Sequence, residues 1–341
     1  MNESISWILL FYILISMGCG EPTQEHKIEK LIKKLGVKDP SVRRISASEL
    51  GSIGSTDVVP ALIQALQDQD AKVRDSATEA LEKIGQDAVP ALIQALQDQD
   101  AKVRDSVALA LGSIGSVDAV PALIQALQDQ DAKVRRCVAL ALGSIGSVDA
   151  VPALIQALQD QDVRRRVALA LGSIGSVDAV PALIQALQDQ DVSVRVSVVE
   201  GLGRIGKDAV PDLIQASRDN NEYIRGGAVE ALKRIGNGAV SALILALQDK
   251  NADIRVRAAE TLKRIGKGAV PALIQALQDK DTNVRVSVVF VLGEIGKDAV
   301  PDLIQALQSE DWNIRYFAIE VLERIGTPDA LQAVEEYQSR Q

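Results

Sequence analysis

Histidine, cysteine and aromatic residues are scarce in this chain of 341 residues. There is one histidine, His26, and there are two cysteines, Cys19 and Cys137, while aromatic side chains make up 3% of the total. A single histidine argues against an ordinary zinc cluster and against a Ser-His-Asp triad, and two cysteines cannot form a disulfide framework. The sequence therefore predicts no enzymatic activity, no metal site and no cofactor.

A concentrated basic stripe is also missing. The formal net charge is −9 at pH 7, and many of the arginines recur at one fixed position instead of forming a patch. Proteins that bind nucleic acids show a basic footprint because they neutralise phosphates. We therefore expect no nucleic-acid partner.

Internal repeats make up most of the chain. The stretch VALALGSIGSVDAVPALIQALQDQD occurs three times, at residues 107–131, 138–162 and 167–191. An arginine that follows Val or Ile recurs every 29 to 31 residues and defines ten repeats, numbered here 1 to 10. These marker arginines are Arg43, Arg74, Arg104, Arg135, Arg164, Arg195, Arg225, Arg255, Arg285 and Arg315. Such a short period predicts a stack of small structural units.

Each repeat is predicted to contain two helices, of which the first carries one apolar stripe. In one copy, this stripe consists of Val120, Leu123, Ile124 and Leu127. These positions follow the i, i+3, i+4, i+7 pattern of an amphipathic helix. Asp118 stands three residues before Pro121 and is predicted to be the N-cap, which places the proline in the first turn.

The second helix of each repeat is predicted to begin after another capping residue, such as Asp100, and to end at a glycine, such as Gly115. Its apolar stripe in this copy consists of Val103, Val107, Leu111 and Ile114. No strand-like alternation occurs along the chain, so the predicted fold class is all-α.

The run D-x-x-V-R, followed by A-L-G-x-I-G and A-V-x-x-L-I-x-A-L, resembles the short HEAT-like repeat of the phycobilisome-lyase type. This resemblance covers residues 27–326 and implies a right-handed α-solenoid whose second helices line the concave face. It also implies an ionic ladder between the turn aspartates and the marker arginines. The expected ladder residues are Asp70, Asp100, Asp131 and Asp191, with Arg74, Arg104, Arg135 and Arg195.

Two enzyme types are built from similar repeats. Deoxyhypusine hydroxylase holds two irons with His-Glu pairs, and the chain has no such pair, so we do not expect this activity. Phycobilin lyases are the other type, and a lyase-like enzyme or a lyase accessory protein is the alternative to a non-catalytic scaffold. The scaffold interpretation expects a protein or peptide partner on the concave face.

The N-terminal segment resembles the signal peptide of a bacterial lipoprotein. Its apolar run, residues 5–17, is too short to span a bilayer, and Gly18-Cys19 resembles the site at which the cysteine is lipidated. We therefore expect export and a membrane anchor in the bacterial envelope, with plain secretion or an unprocessed anchor as alternatives. The expected segments are a signal peptide at 1–18, a tether at 19–26, the ten repeats at 27–326 and a C-terminal capping helix at 327–341.

A candidate binding strip emerges when the second helices are projected at 100° per residue. Position +5, counted from the marker arginine, points away from the core and carries Leu109, Leu140 and Leu169. Neighbouring glycines, Gly112, Gly143 and Gly172, are expected to leave these leucines uncovered. Arg136, Arg165 and Arg166 would form the charged margin. The alternative is that recent duplication copied leucines of no function.

Aromatic residues provide a second candidate at the other end of the chain. Phe290 also occupies a +5 position, and Trp312, Tyr316 and Phe317 follow in the last repeat. Aromatic side chains are frequent anchors of protein interfaces. The sequence therefore predicts a second, weaker partner site here, with edge packing as the alternative for Phe317.

Overall fold

The computed structural model describes residues 23–250 and 252–340. These residues contain helices and turns but no β-strand, which confirms the all-α prediction. The chain divides into two compact units, residues 1–145 and 146–341, called the N-terminal and the C-terminal unit. No helix in the described ranges is both long and apolar enough to cross a membrane.

The N-terminal unit is a stack of helix pairs. Its helices are α1 Gln24–Lys34, α2 Pro40–Ile53, α3 Val59–Ala65, α4 Ala71–Ile84, α5 Val89–Ala95, α6 Ala101–Ile114, α7 Val120–Ala126 and α8 Ala132–Ile145. The even-numbered helices are the second helices of the repeats, and the odd-numbered helices are the first. Because α1 already begins at Gln24, His26 lies in a helix and not in the expected tether; residues 19–22 are outside the described residues.

The C-terminal unit continues the same alternation. Its helices are α9 Val151–Ala157, α10 Arg164–Ile174, α11 Val180–Ala186, α12 Val192–Ile205, α13 Val210–Ala216, α14 Glu222–Ile235, α15 Asn237–Ala246, α16 Ala252–Ile265, α17 Val270–Ala276, α18 Thr282–Ile295, α19 Val300–Ala306, α20 Trp312–Ile325 and α21 Pro328–Gln338. The last helix, α21, is the predicted C-terminal cap and buries Ala330 and Val334.

The first helices begin differently from the prediction. A short 3-10 turn precedes the helix, as at Thr56–Val58, and Asp57 lies inside this turn. The cap is the preceding serine, because the Ser55 Oγ accepts the amide of Asp57 at 3.3 Å. Asp118 likewise lies within a 3-10 turn, so its predicted N-cap role is wrong. Pro121 does stand in the first turn, where no amide donor is needed.

The second helices begin and end as predicted. The Asp100 Oδ1 atom accepts the amide of Lys102 at 2.9 Å and caps α6, and Gly115 ends this helix with a φ of 74°. A glycine with a positive φ, a value that other residues adopt only at a cost, follows the second helix of each repeat.

The aliphatic stripes of both helices form the core. Val103, Leu111 and Leu123 have no exposed surface, and the same positions are buried in the neighbouring repeats. Burial of a leucine contributes about 1.5–3 kcal/mol, so the core stabilises each unit through many equivalent contacts.

Neighbouring second helices approach most closely where a glycine faces a small residue. A Cβ atom added at Gly51 would lie 2.5 Å from Ala80, and one added at Gly112 would lie 2.7 Å from Ala141. In the C-terminal unit, Gly172 faces Gly201 in the same way. Small side chains at these two positions therefore allow the helix backbones to touch.

Candidate binding surface

Three marker arginines, Arg43, Arg104 and Arg164, pair with an aspartate of the next repeat, although not with the aspartates predicted. The Arg104 Nε and Nη2 atoms donate to Asp129 at 2.6 and 2.8 Å, and the Arg43 guanidinium binds Asp68 in the same two-pronged way. Both aspartates stand two residues before the turn aspartate of the next repeat. The turn aspartates Asp70, Asp100, Asp131 and Asp191 instead accept amide hydrogen bonds at the start of their own helices.

The marker arginines also bind the turn of their own repeat. The Arg74 Nη1 atom donates to the carbonyl oxygens of Asp68 and Gln69 at 2.7 and 3.1 Å, and Arg135 and Arg195 bind their own turns in the same way. These bonds fix the turn against the second helix. These marker arginines therefore have a structural role in their repeats.

The pKa values of the aspartates in the inter-repeat ion pairs are lowered. The hydrogen bond from Arg43 lowers the pKa of Asp68. At Asp129, burial acts to raise the pKa, but the hydrogen bonds from Arg104 and from the amide of Asp131 together lower it. Both aspartates are therefore charged in the folded protein over a wider pH range than a free aspartate.

The predicted leucine strip is at the surface but is less exposed than expected. Leu109 is 41% exposed, whereas Leu140 and Leu169 are half-buried. The glycines beside them, Gly112 and Gly172, do not leave the leucines open, because the next second helix packs directly on these glycines. Gly143 is buried too.

The predicted charged margin is only partly accessible. Arg136 and Arg165 are exposed, while Arg166 is half-buried. In the N-terminal unit, Leu109 and Leu140 lie on α6 and α8, which pack against each other. Leu169 lies on α10, in the C-terminal unit.

Another exposed apolar surface lies at position +1 of the second helices in the C-terminal unit. Val196, Val256 and Val286 are between 55% and 61% exposed, and Tyr316 is 49% exposed. We call this surface the +1 row. The outward-pointing position +5 does not reveal the +1 row. The signal was present: the residue after the marker arginine is charged in repeats 1 to 5 and is Val, Gly or Tyr in repeats 6 to 10.

A groove of about 580 Å³ opens between α16 and α18. Val256 and Ala259 form one wall, and Val286 and Phe290 form the other, with Leu247 also lining the groove. A salt bridge of 2.6 Å between Lys263 and Glu294 joins the two helices at one end. This hydrogen bond lowers the pKa of Glu294. We call this cavity groove B.

A second groove, of about 470 Å³, lies between α12 and α14. Val192, Val196 and Val199 line one side, and Tyr223 lines the other. The Arg195 guanidinium stacks over the Tyr223 ring at 4.7 Å, which holds the ring at the edge of the groove. We call this cavity groove A. Groove A lies two second helices before groove B in the chain and, like groove B, is lined by valines and one aromatic residue.

Aromatic side chains gather on the same face. All aromatic residues in the described ranges belong to the C-terminal unit, and Trp312 is 61% exposed. The Trp312 and Tyr316 rings stack at 5.0 Å, and Tyr316 contacts Phe317 edge-on at 5.1 Å. The structure therefore brings together three residues of the second predicted candidate. Phe290 stands apart on α18, under the guanidinium of Arg324 at 5.0 Å.

This surface offers apolar contact area and no obvious reactive group. In the described part of the chain, no group of three or more His, Cys, Asp or Glu residues could hold a metal. Burial of rings and valines against a partner is the interaction that this surface provides.

The family model for HEAT repeats matches residues 28–98, 89–162, 153–233, 210–274 and 270–340. The chain belongs to the HEAT-repeat family. This confirms the HEAT-like repeats predicted from the sequence. HEAT repeats form helical scaffolds, in agreement with the helix pairs of both units.

Solved structures similar to this HEAT-repeat protein include an engineered protein with 22% identity and a TM-score of 0.40, over 88% of this chain and 99% of that one. Another is the complex of CpcE and CpcF of phycocyanin lyase from Nostoc sp. PCC7120. It has 26% identity and a TM-score of 0.36, over 72% of this chain and 96% of that one. No curated protein matches the chain significantly.

Proposed function

We propose that this HEAT-repeat protein is a non-catalytic scaffold that binds a protein or peptide on the second-helix face of its C-terminal unit. The observation that carries the proposal is groove B, an apolar cavity of about 580 Å³ lined by Val256, Val286 and Phe290. A contiguous apolar surface with a charged rim is typical of a protein interaction site.

The exposed aromatic residues support the same face. Trp and Tyr are over-represented among the residues that dominate binding energy, because they bury a large area at a low cost in side-chain entropy. Trp312 and Tyr316 are stacked on each other and exposed, so they are preorganised to receive a partner. Neither residue is needed for the core, since each keeps about half of its surface or more in solvent.

The three leucines Leu109, Leu140 and Leu169 are a weaker candidate for the binding surface than the second-helix face of the C-terminal unit. Leu140 and Leu169 are half-buried, and they can lose little further surface on binding. Leu109 offers more exposed area, yet it lines neither groove A nor groove B.

We also propose that the scaffold is tethered to a bacterial envelope membrane through lipidated Cys19. The support is the apolar run at residues 5–17, followed by Gly18-Cys19; both lie outside the residues that the structure describes. Mass analysis of the mature N-terminus tests this part. A mature chain that begins at Cys19 and carries acyl groups supports it, whereas an intact or differently cleaved N-terminus contradicts it.

The binding proposal is tested with the double variant Trp312→Ala, Tyr316→Ala in the full-length protein. We expect the partner captured by the wild-type protein from a membrane extract, once identified and purified, to bind the variant at least about tenfold more weakly. The matched control is Leu109→Ser, which changes an exposed apolar residue of the N-terminal unit. We expect this control to bind like the wild type.

Two results would contradict the proposal. If Leu109→Ser abolished binding and the aromatic double variant did not, the binding face would lie on the N-terminal unit. If incubation with a bilin and an acceptor protein produced a covalent pigment adduct at a catalytic rate, the protein would be a lyase and not a scaffold. Circular dichroism of each variant shows whether lost binding reflects lost fold.

A further inference from the structure

We infer that the outer end of repeat 1 binds the surface of an anionic phospholipid bilayer through a row of lysines on α1. The inference rests on the proposed tether at Cys19 and adds a second membrane contact beside it. Its evidence is the side of α1 on which the lysines lie, the sign of the charges there, and the short stretch of chain between this helix and Cys19.

The outer side of α1 is identified by comparison with an internal repeat. Ala91 and Ala95 on α5 line a cavity together with residues of α3, the first helix of the preceding repeat. When the repeats are aligned, the same two positions of α1 hold Lys30 and Lys34. Repeat 1 therefore has lysine on the side where an internal repeat meets its predecessor.

Burial supports this alignment. Ile28 and Leu31 of α1 are buried, and so are the residues at the same positions of α5. Lys27 takes the position of Ala88, which has no exposed surface, yet Lys27 itself is exposed. The side of the helix that is packed in an internal repeat is thus accessible in repeat 1.

An exposed isoleucine lies on the same side of repeat 1. Ile45 of α2 is 50% exposed and occupies position +2, counted from the marker arginine. In repeat 7 this position is Gly227, where an added Cβ atom would lie 2.5 Å from Leu187 of the preceding repeat. Position +2 therefore points outward in repeat 1. Lysines with apolar neighbours are typical of protein surfaces that lie in a membrane interface.

The lysines of α1 are separated from its glutamates around the helix. At 100° per residue, the lysines fall within one arc of about 120°, and they are Lys27, Lys30, Lys33 and Lys34. Glu25 and Glu29 lie outside this arc. Within the described ranges no carboxylate forms an ion pair with the four lysines, so their charges are available to a ligand.

The other capping helix shows that a cap does not need lysine. Helix α21 carries Asp329, Glu335 and Glu336 and no basic residue. Charge of either sign keeps the end of a repeat stack soluble. Residues 20–45, in contrast, contain seven lysines and arginines and four aspartates and glutamates, although the net charge of the chain is −9. The charge of this end is therefore complementary to an anionic surface, which the chain as a whole would repel.

The proposed lipidation would place this end next to the bilayer. Four residues lead from Cys19 to Thr23, the N-cap of α1, and a chain of this length spans at most about 14 Å. Each lysine close to an anionic bilayer strengthens binding about fivefold. A lipid anchor combined with a basic surface is the two-signal arrangement that holds a protein stably on a membrane.

The test measures how fast the lysines of the full-length protein react with an amine-acylating reagent on vesicles. One set of vesicles is phosphatidylcholine alone, and the other is a mixture with the anionic lipid phosphatidylglycerol. Vesicle-bound protein is recovered by flotation and analysed by mass spectrometry. We expect Lys27, Lys30 and Lys34 to react at least about threefold more slowly on the anionic vesicles, because the lipid surface covers them.

A triple variant shows whether the lysine row itself makes the contact. The variant is Lys27→Gln, Lys30→Gln, Lys34→Gln, and glutamine keeps a high helix propensity. We expect its remaining lysine, Lys33, to react equally fast on both kinds of vesicle, whereas in the wild type Lys33 is protected on the anionic ones. Circular dichroism checks that the variant keeps its fold.

The matched control makes the same change in charge in the C-terminal unit. Lys207, Lys267 and Lys297 are exposed lysines at equivalent positions of three repeats. We expect them to react equally fast on both kinds of vesicle. The variant Lys207→Gln, Lys267→Gln, Lys297→Gln should keep Lys33 protected on anionic vesicles.

Mass analysis of the mature N-terminus separates this inference from the proposed tether. If Cys19 carries acyl groups and the α1 lysines react equally fast on both kinds of vesicle, the tether stands and the inference fails, since the lysines are then only a polar cap. If Cys19 carries no acyl group and the lysines are protected on anionic vesicles alone, the tether fails and the lipid contact stands.

Two other results would overturn the inference. Equal protection of the three control lysines on anionic vesicles would mean that the contact is not confined to repeat 1. Protection of the α1 lysines by inorganic phosphate or by an acidic peptide, without vesicles, would show a site for soluble anions and not for a bilayer surface.

Discussion

The second helices of the two units use the same two surface positions in opposite ways. In the N-terminal unit, position +1 is charged and position +5 is Leu in repeats 3 and 4. In repeats 6 to 8 of the C-terminal unit, position +1 is Val or Gly and position +5 is Glu. The buried positions are of the same kind in both. The stripes that specify the fold are therefore separate from the positions that decide which surface a partner meets.

The packing between second helices differs in a related way. Where α6 meets α8, Gly112 faces Ala141 and the backbones touch. The corresponding positions where α16 meets α18 are Lys263 and Val291, and both line groove B. At groove B, larger side chains occupy these two positions. At groove A, the same positions hold Gly203 and Ala231, so side-chain size at these two positions does not by itself decide whether a groove exists.

The largest expected effect comes from removing an inter-repeat ion pair. Asp129→Ser would leave the Arg104 guanidinium, which is 6% exposed, with only its two backbone acceptors. Breaking such a pair costs about 3 kcal/mol, because the remaining charge stays buried. We expect a loss of this size in urea unfolding. The control is Asp118→Ser, an exposed aspartate, and an equal loss there would argue against the ion pair as the cause.

The next effect tests the close helix contact. Gly112→Ala would place a methyl group 2.7 Å from the Cα atom of Ala141, and the backbones would have to separate. We expect a loss of about 1–3 kcal/mol in the free energy of unfolding. The matched control is Gly293→Ala in the C-terminal unit, where the new methyl group meets only the flexible side chain of Arg324. Equal losses in both variants would refute the contrast in packing.

A smaller effect, of the opposite sign, is expected at repeat 10. Ser309 stands where repeats 2 to 9 have an aspartate, which pairs with a marker arginine at Asp68, Asp129 and Asp189. The Nε atom of Arg285 is buried without a hydrogen-bond partner. Ser309→Asp supplies the missing carboxylate and should stabilise the protein by about 1 kcal/mol. Calorimetry measures the shift, with Ser309→Asn as the uncharged control. A lower melting temperature for the aspartate variant would contradict this explanation.

Local patterns predicted the helices well and the contacts between repeats less well. The stripe around Leu111, the Asp100 cap and the glycine end at Gly115 follow from periodicity and from backbone geometry within one repeat. The arginine partner does not, because Asp129 and Asp131 are equally plausible until the neighbouring repeat is in place. The exposure of Leu140 was overestimated for the same reason, since it depends on how closely the next helix packs.

The candidate surface was predictable in part. Trp312, Tyr316 and Phe317 were recognised from composition, and the structure brings these rings together. The +1 row was visible in the sequence as a change from charged to apolar residues after the marker arginine. The grooves were not visible, since their width depends on helix separation, which is a property of pairs of repeats.

The smallest expected effect is a loss of folding stability in acid, when Asp68 and Asp129, which pair with marker arginines, become protonated. The pKa values of Asp68 and Asp129 are lowered in the folded protein by their arginine partners and by backbone amides. A lowered folded-state pKa gives stability that is present above the unfolded value of about 4 and is lost as the pH falls through the folded value. The contribution of the ion pairs should therefore be complete above about pH 4 and should be lost progressively as the pH falls below this value.

The double variant Asp68→Asn, Asp129→Asn tests whether this loss of stability at low pH comes from the two ion pairs. At pH 7 we expect it to be less stable than the wild type by about 1–2 kcal/mol, since the amides keep the shape but not the charge. As the pH falls below about 4, the difference should shrink, because protonation removes the same charges from the wild type. Urea unfolding across this pH range measures the difference, with Asp87→Asn as an exposed control. A difference that stays constant down to pH 3 would show that shape, and not charge, connects the repeats.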